Sequence, residues 1–164
     1  MGKRTIELEE TQQLSNSWFG AKSHTQKSCF MHCENLKRIK VPSSVQEIQF
    51  NAFTNCFKLL SVTLPEVLTR IYEGVFDGCV SLVSIDVPST VTHIEDYAFS
   101  NCAMTEHHFR SNIPPTIYRY TFSNKIFKDF KIYVTYSNDH SILNAYKSAT
   151  YWIDYADKIF EEPQ

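Results

Sequence analysis

Glycine is scarce in this chain, with four among 164 residues. So few cannot furnish a glycine-rich cradle for phosphate, and neither a G-x-S-x-G nucleophile turn nor an H-E-x-x-H helix is present. An excess of either charge is also missing, since 16 Lys and Arg stand against 18 Asp and Glu for a net charge of -2. No overall field then draws the chain to nucleic acid or to an acidic membrane, and neither is expected as a partner. No apolar run approaches the roughly 20 residues a membrane-spanning helix needs, so membrane insertion is not expected. The opening Met1-Gly2-Lys3-Arg4-Thr5-Ile6-Glu7-Leu8 is basic and then acidic, without the apolar stretch of a secretory signal. Ile6 breaks the N-myristoylation pattern as well. The chain reads as soluble, with its compartment left open.

What the chain does have is aromatic mass. Phenylalanine occurs 12 times and tyrosine 9 times, and hydrophobic residues make up 43%, which excludes a disordered chain and points to one domain with a core built on rings. The cysteines reveal how that core is organised. Cys33, Cys56, Cys79 and Cys102 follow one another at 23 residues, and Phe30, Phe53, Phe76, Phe99 and Phe122 keep the same step. So do Ile48, Ile71, Ile94 and Ile117, the set Ile39, Val62 and Ile85, and the prolines Pro42, Pro65 and Pro88. A fixed period of this length is the mark of a stacked repeat.

One unit runs from Leu59 as L-L-S-V-T-L-P-E-V-L-T-R-I-Y-E-G-V-F-D-G-C-V-S. Its opening L-x-x-V-x-L-P predicts a short strand whose first, fourth and sixth residues point inward. Proline ends the strand because it has no N–H for another ladder bond. Leu68 and Ile71 mark a second extended piece, and Val75, Phe76 and Cys79 a tight turn. The residue before each cysteine is His32, Asn55, Gly78 or Asn101, with Asn124 next in the series. Glycine, and less freely asparagine and histidine, accept positive φ, the conformation that closes a helical turn at its C-terminal end.

The pattern A-F-x-x-C-x-x-L-x-x-I-x-V-P-x-x-V-x-x-I, present as Ala52-Phe53 with Cys56 and Leu59 and again as Ala98-Phe99 with Cys102, resembles the BspA-like leucine-rich repeats. The segments Lys131–Val134, Ala145–Ala149, Trp152, Tyr155-Ala156 and Ile159 are similar to the cap that ends such arrays. The resemblance implies an α/β solenoid, a right-handed superhelix of about five coils of roughly 23 residues with short strands. An N-terminal cap over 1–28, repeats over 29–135 and a helical cap over 136–164 are expected. It also implies a non-enzymatic recognition module without cofactor or metal, whose partner is a protein. Members of that family are largely bacterial or protist surface proteins tied to adhesion and host-protein binding, so a secreted or cell-surface setting is implied. An intracellular adaptor or enzyme inhibitor, and a terminal piece of a longer array, are the alternatives. The chain is expected to be monomeric.

Solenoid ends expose core and need covers. Residues 1–28 fall out of phase, and Ile6, Leu14, Trp18 and Phe19 are expected to cover the first coil. At the other end Ile142, Leu143, Tyr146, Ala149, Trp152 and Ile159 recur at helical spacing, as one helix or as two broken near Thr150. The fourth strand needs a register choice: strict phase buries Thr105, His108 and Arg110, whereas a slip of one residue buries Met104, His107 and Phe109. Burial favours the slip, with the lost residue recovered across Ser111–Pro115.

Residues in one file of a stack cannot converge on one tetrahedral ion, so the cysteines are expected to pack as small buried hydrophobes. Cys29, His32 and Cys33 are only a partial metal set. His107 and His108 are expected to face opposite sides. What remains is surface. The outward strand positions Lys37, Arg38 and Lys40, then Leu60, Ser61 and Thr63, then Val83, Ser84 and Asp86, then Thr105, Glu106 and His108 form one face. It runs from basic through mildly apolar to acidic, and reads either as a binding surface or as ordinary solvated surface. A second file, Gln46-Glu47, Thr69-Arg70-Tyr72, Thr92-His93 and Tyr118-Arg119-Tyr120, is the other candidate.

Overall fold

The computed structural model describes residues 12–13, 25, 27–123 and 129–164. The expected N-terminal covering residues Ile6, Leu14, Trp18 and Phe19 lie outside these, as does Asn124. In chain order the strands are β1 (Gln12–Gln13), β2 (Arg38–Lys40), β3 (Glu47–Ile48), β4 (Ser61–Thr63), β5 (Arg70–Ile71), β6 (Ser84–Val87), β7 (His93–Ile94), β8 (Glu106–Phe109), β9 (Lys131–Val134) and β10 (Ile159–Glu161). One α-helix, α1 (Ser141–Ser148), and a 3-10 helix (Trp152–Lys158) precede β10.

Every strand pair is parallel, as stacking of like on like demands. β2 pairs with β4 as Arg38 to Ser61, and β3, β5 and β7 pair as Glu47 to Arg70 to His93, all one period apart. β6 pairs with β8 as Ser84 to Glu106, one residue short of the period. That is the slip burial favoured: Met104, His107 and Phe109 are buried. Phase returns at Thr116, which bridges to His93, and Ile117 is again buried. The strand face has one break. β4 and β6 lie side by side, yet they belong to separate sheets, β1-β2-β4 and β6-β8-β9-β10.

The phenylalanines form the expected spine. Ring centroids of Phe30 and Phe53 are 5.3 Å apart, Phe53 and Phe76 5.5 Å, Phe76 and Phe99 5.9 Å, and Phe99 and Phe122 5.7 Å. The first three pairs are within 4° of coplanar, and all five rings are buried. No single coil could bury such a ring on both faces, so each coil depends on its neighbours. After each strand the proline carbonyl accepts the N–H three residues on: Val45 from Pro42, Leu68 from Pro65, Val91 from Pro88, at 3.0–3.1 Å. The turn then closes on His32, Asn55, Gly78 and Asn101, all at positive φ. A second left-handed file, Ser28, Asn51, Gly74 and Tyr97, stands four residues earlier in each coil.

Both ends depart in detail from expectation. Thr25 is buried one period before Ile48; its N–H donates to the Glu47 carbonyl, and its hydroxyl accepts from Gln49 N–H at 2.8 Å. At the far end, α1 and the 3-10 helix are separated around Thr150, where Tyr151 has a φ of 62°. Tyr146 and Trp152 lie buried on Phe109, the indole N–H donating to Pro115 O at 2.8 Å and the phenol to Ser111 O at 3.0 Å. Ile159 corrects the helical reading. It opens β10, which pairs with β9 as Ile159 to Ile132.

Candidate functional site: the outward strand face

Alternation along each strand separates core from surface. Ile39, Ile85 and His107 point in and are buried, while Arg38 and Lys40, Ser84 and Asp86, and Glu106 point out. Parallel pairing then aligns the outward side chains in rows across the stack. Lys37, Leu60, Val83 and Thr105 make the first row, Arg38, Ser61, Ser84 and Glu106 the second, and Lys40, Thr63, Asp86 and His108 the third. The structure thus brings all twelve of the outward positions named from the sequence onto one side; His108 is half-buried and the others are exposed.

Midway across the stack the first row is apolar: Leu60 is 47% and Val83 53% exposed. Phe57 and Val80, also a period apart and about 40% exposed, extend that strip beyond the strand ends. Reading only strand positions missed them, although the same step was there to be seen. Between β4 and β6 the broken ladder leaves a groove of about 310 Å³ lined by Thr63, Leu64, Asp86 and Arg110 among others.

Charge on the face is less simple than a basic-to-acidic run. Among the described residues no ion pair engages Lys37, Arg38 or Lys40. At the other side Arg110 pairs with Asp86 and reaches Glu162 Oε1 at 3.0 Å. His108 Nδ1 lies 2.7 Å from the same Glu162 oxygen, and its ring stacks on Tyr133 at 5.1 Å. Glu106 borders a second cleft of about 390 Å³ that also holds Asp129, Asp157, Phe130, Phe160 and two lysines. Glu162, Asp129 and Asp157 escaped sequence reasoning because the chain returns to the face from far along its length.

Part of the other candidate file is tied into local contacts, while Tyr118 and Tyr120 stay exposed. Arg70 Nε donates to Glu95 at 3.1 Å and its guanidinium lies over Tyr72, which meets Phe50. Tyr97 and Tyr120 stack at 5.5 Å. Among the described residues no group of three or more His, Cys, Asp or Glu is placed to hold a metal ion. Burial raises the thiols of Cys56 and Cys79 well above the ordinary value and pushes Cys102 up to about 12, so none is a ready nucleophile. His107 and His108 do face opposite sides, and no helix among the described residues is long and apolar enough to cross a membrane.

No curated protein matches the chain. Solved structures that resemble it include two repeat proteins. The leucine-rich repeat protein of T. pallidum (TpLRR) is 28% identical over 52% of this chain and 51% of that one, with a TM-score of 0.42. The pneumococcal vaccine antigen PcpA is 18% identical over 87% of this chain and 40% of that one, with a TM-score of 0.53, a likeness of fold. The chain thus spans about half or less of either protein. The model of the BspA type leucine-rich repeat region matches residues 21–141 in six copies. With its parallel strands, phenylalanine spine and cysteine file, the chain belongs to the BspA type leucine-rich repeat family.

Proposed function

We propose that the outward strand face is a protein-recognition surface and that the chain is a binding module, not an enzyme. Leucine-rich repeats of this kind generally serve protein interaction, and one observation supports placing it here: solvent-exposed Leu60 and Val83 sit midway across the stack in the first row of the face, with the cations Lys37, Arg38 and Lys40 to one side. Exposed apolar residues bordered by charge are what an interface core and rim look like before the partner arrives. The architecture inferred to carry the face is a right-handed solenoid of about five coils, of the kind whose ends need covers. An adhesin-like role at a cell surface follows from the family resemblance, a warrant of analogy.

The test is affinity capture from the native source with wild-type protein and with the Lys37→Glu, Arg38→Glu, Lys40→Glu triple variant. Loss of a captured protein at unchanged melting temperature is the expected result. Retention of every partner at physiological salt would place recognition elsewhere.

A further inference from the structure

The strand face has a symmetry of its own. Taken about a line running along the strands between β4 and β6, it pairs unlike with unlike. β2 lies one and a half strand spacings to one side of that line and β8 the same distance to the other, each spacing being about 4.8 Å. Folding the face over on that line sets the second row's Arg38 against Glu106. In the first row Leu60 meets Val83, and in the third Thr63 meets the carboxylate of Asp86. Lys40 meets His108, whose ring is flanked by Glu162 at 2.7 Å and Glu106 at 3.6 Å. Every cation of the basic side thereby faces a carboxylate or a neutral polar group.

Resting on the reading of this face as a recognition surface, we propose that its partner is a second copy of the chain, joined face to face about a two-fold axis parallel to the strands. A two-fold interface must be self-complementary, and the direction of the axis is decided by charge. An axis running instead along the stack would lay Arg38 and Lys40 against themselves. The axis along the strands places each apolar residue of the centre on its counterpart and generates every contact twice. Arg38 of the second copy arrives at the mouth of the 390 Å³ cleft beside Glu106, where the carboxylates of Glu106, Asp129 and Asp157 outnumber the cations of Lys131 and Lys158, which lie over the rings of Phe160 and Phe130 at 5.9 and 5.3 Å. The line also coincides with the break between β4 and β6, where the groove leaves room for side chains from above. The four short strands that meet across the axis present a modest area, below the roughly 800 Å² per partner of a standard interface. Association is therefore weak, reversible and sensitive to salt.

Sedimentation equilibrium of the full chain, from micromolar to near-millimolar concentration in low and high salt, tests this. Wild type is expected to shift from monomer to dimer with concentration, and to return to monomer as salt rises. Arg38→Glu and Glu106→Arg should each weaken the dimer by about tenfold or more, and the combined Arg38→Glu, Glu106→Arg chain should recover most of that loss, because the exchanged charges meet again across the axis. Circular dichroism of each variant establishes that the fold is kept. A wild type monomeric at every concentration overturns the proposal, as does a dimer indifferent to both single changes or a double variant no better than either. A heterologous partner captured by wild type and lost in the triple Glu variant would leave the recognition reading standing even then.

Discussion

The thiol of Cys79 donates to the carbonyl oxygen of Phe53 in the preceding coil, across 3.2 Å. That same oxygen already accepts Cys56 N–H at 3.1 Å, so the bond caps a carbonyl whose second lone pair would otherwise be buried and idle. Cys56 to Phe30 at 3.1 Å and Cys102 to Phe76 at 2.9 Å repeat it. The cysteine file is thus a file of inter-coil fasteners, small enough for the turn and weakly polar at the one atom that needs it. Cys79→Ala should cost about 1–3 kcal/mol from the lost donor and the cavity left by sulfur, read by urea unfolding. The raised thiol pKa values give a companion expectation: a thiol reagent at neutral pH leaves Cys56, Cys79 and Cys102 unmodified until denaturant is added. Rapid native labelling of all five cysteines would contradict the packing described.

Phe76 is the middle ring of the spine, stacked on Phe53 and Phe99 at 5.5 and 5.9 Å. Removing it opens a void that rigid coils on both sides cannot close. Phe76→Ala should lower stability by about 3–5 kcal/mol. Phe76→Leu, which refills most of the volume, should cost clearly less. Denaturant midpoints of the two variants decide the matter; near-equal losses would mean that ring stacking itself, and not filled volume, carries the energy.

These columns were legible because a solenoid writes its third dimension into a fixed step of sequence. Even the slip before β8 could be read, since only one register buries Phe109 rather than Arg110. Legibility fails where the step no longer indexes space. Ile159 keeps a helical interval from Tyr146 and Trp152, yet its backbone finds an open edge on β9, and edge pairing outweighs the weak preference of a short segment. Glu162 meets His108 from 54 residues away, beyond any repeat. The break between β4 and β6 is invisible because Val62 and Ile85 remain in phase across it. The second left-handed file was hidden by its chemistry, Ser28 and Tyr97 being residues that do not advertise positive φ.

Gly78 and Asn55 share one conformation for different reasons. Both have positive φ, 74° and 59°, but a Cβ on Gly78 would run into the Asn55 side chain stacked against it. Gly78→Ala should therefore cost about 1–3 kcal/mol, from left-handed strain and from displacing Asn55. Asn55→Gly removes a side chain from a site whose backbone glycine adopts freely, and should change stability by less than about 1 kcal/mol. Thermal melts of both variants check the asymmetry; equal losses would show that backbone strain alone sets the cost.

His107 is buried with Nδ1 lacking any hydrogen-bond partner, its ring held among Phe99, Phe122 and Phe130 at 5.0–5.4 Å. Burial, and then His108 beside it, lowers its pKa to about 3. The unfolded chain binds this proton near pH 6.5 and the folded chain only near 3, so between those values unfolding takes up a proton. Stability thus falls as pH drops from about 6.5 toward 3, by up to about 1.4 kcal/mol for each pH unit, and is flat in this respect above 6.5. Carboxylates titrate over part of that range as well, so the contribution is isolated by difference. His107→Phe should fill the same slot, relieve the unpartnered nitrogen and unfold later in urea than wild type at pH 5, with the gap narrowing at pH 7.5. A gap that stays constant between the two pH values would mean that His107 keeps its proton in the folded chain, and that the aromatic pocket does not exclude the charge.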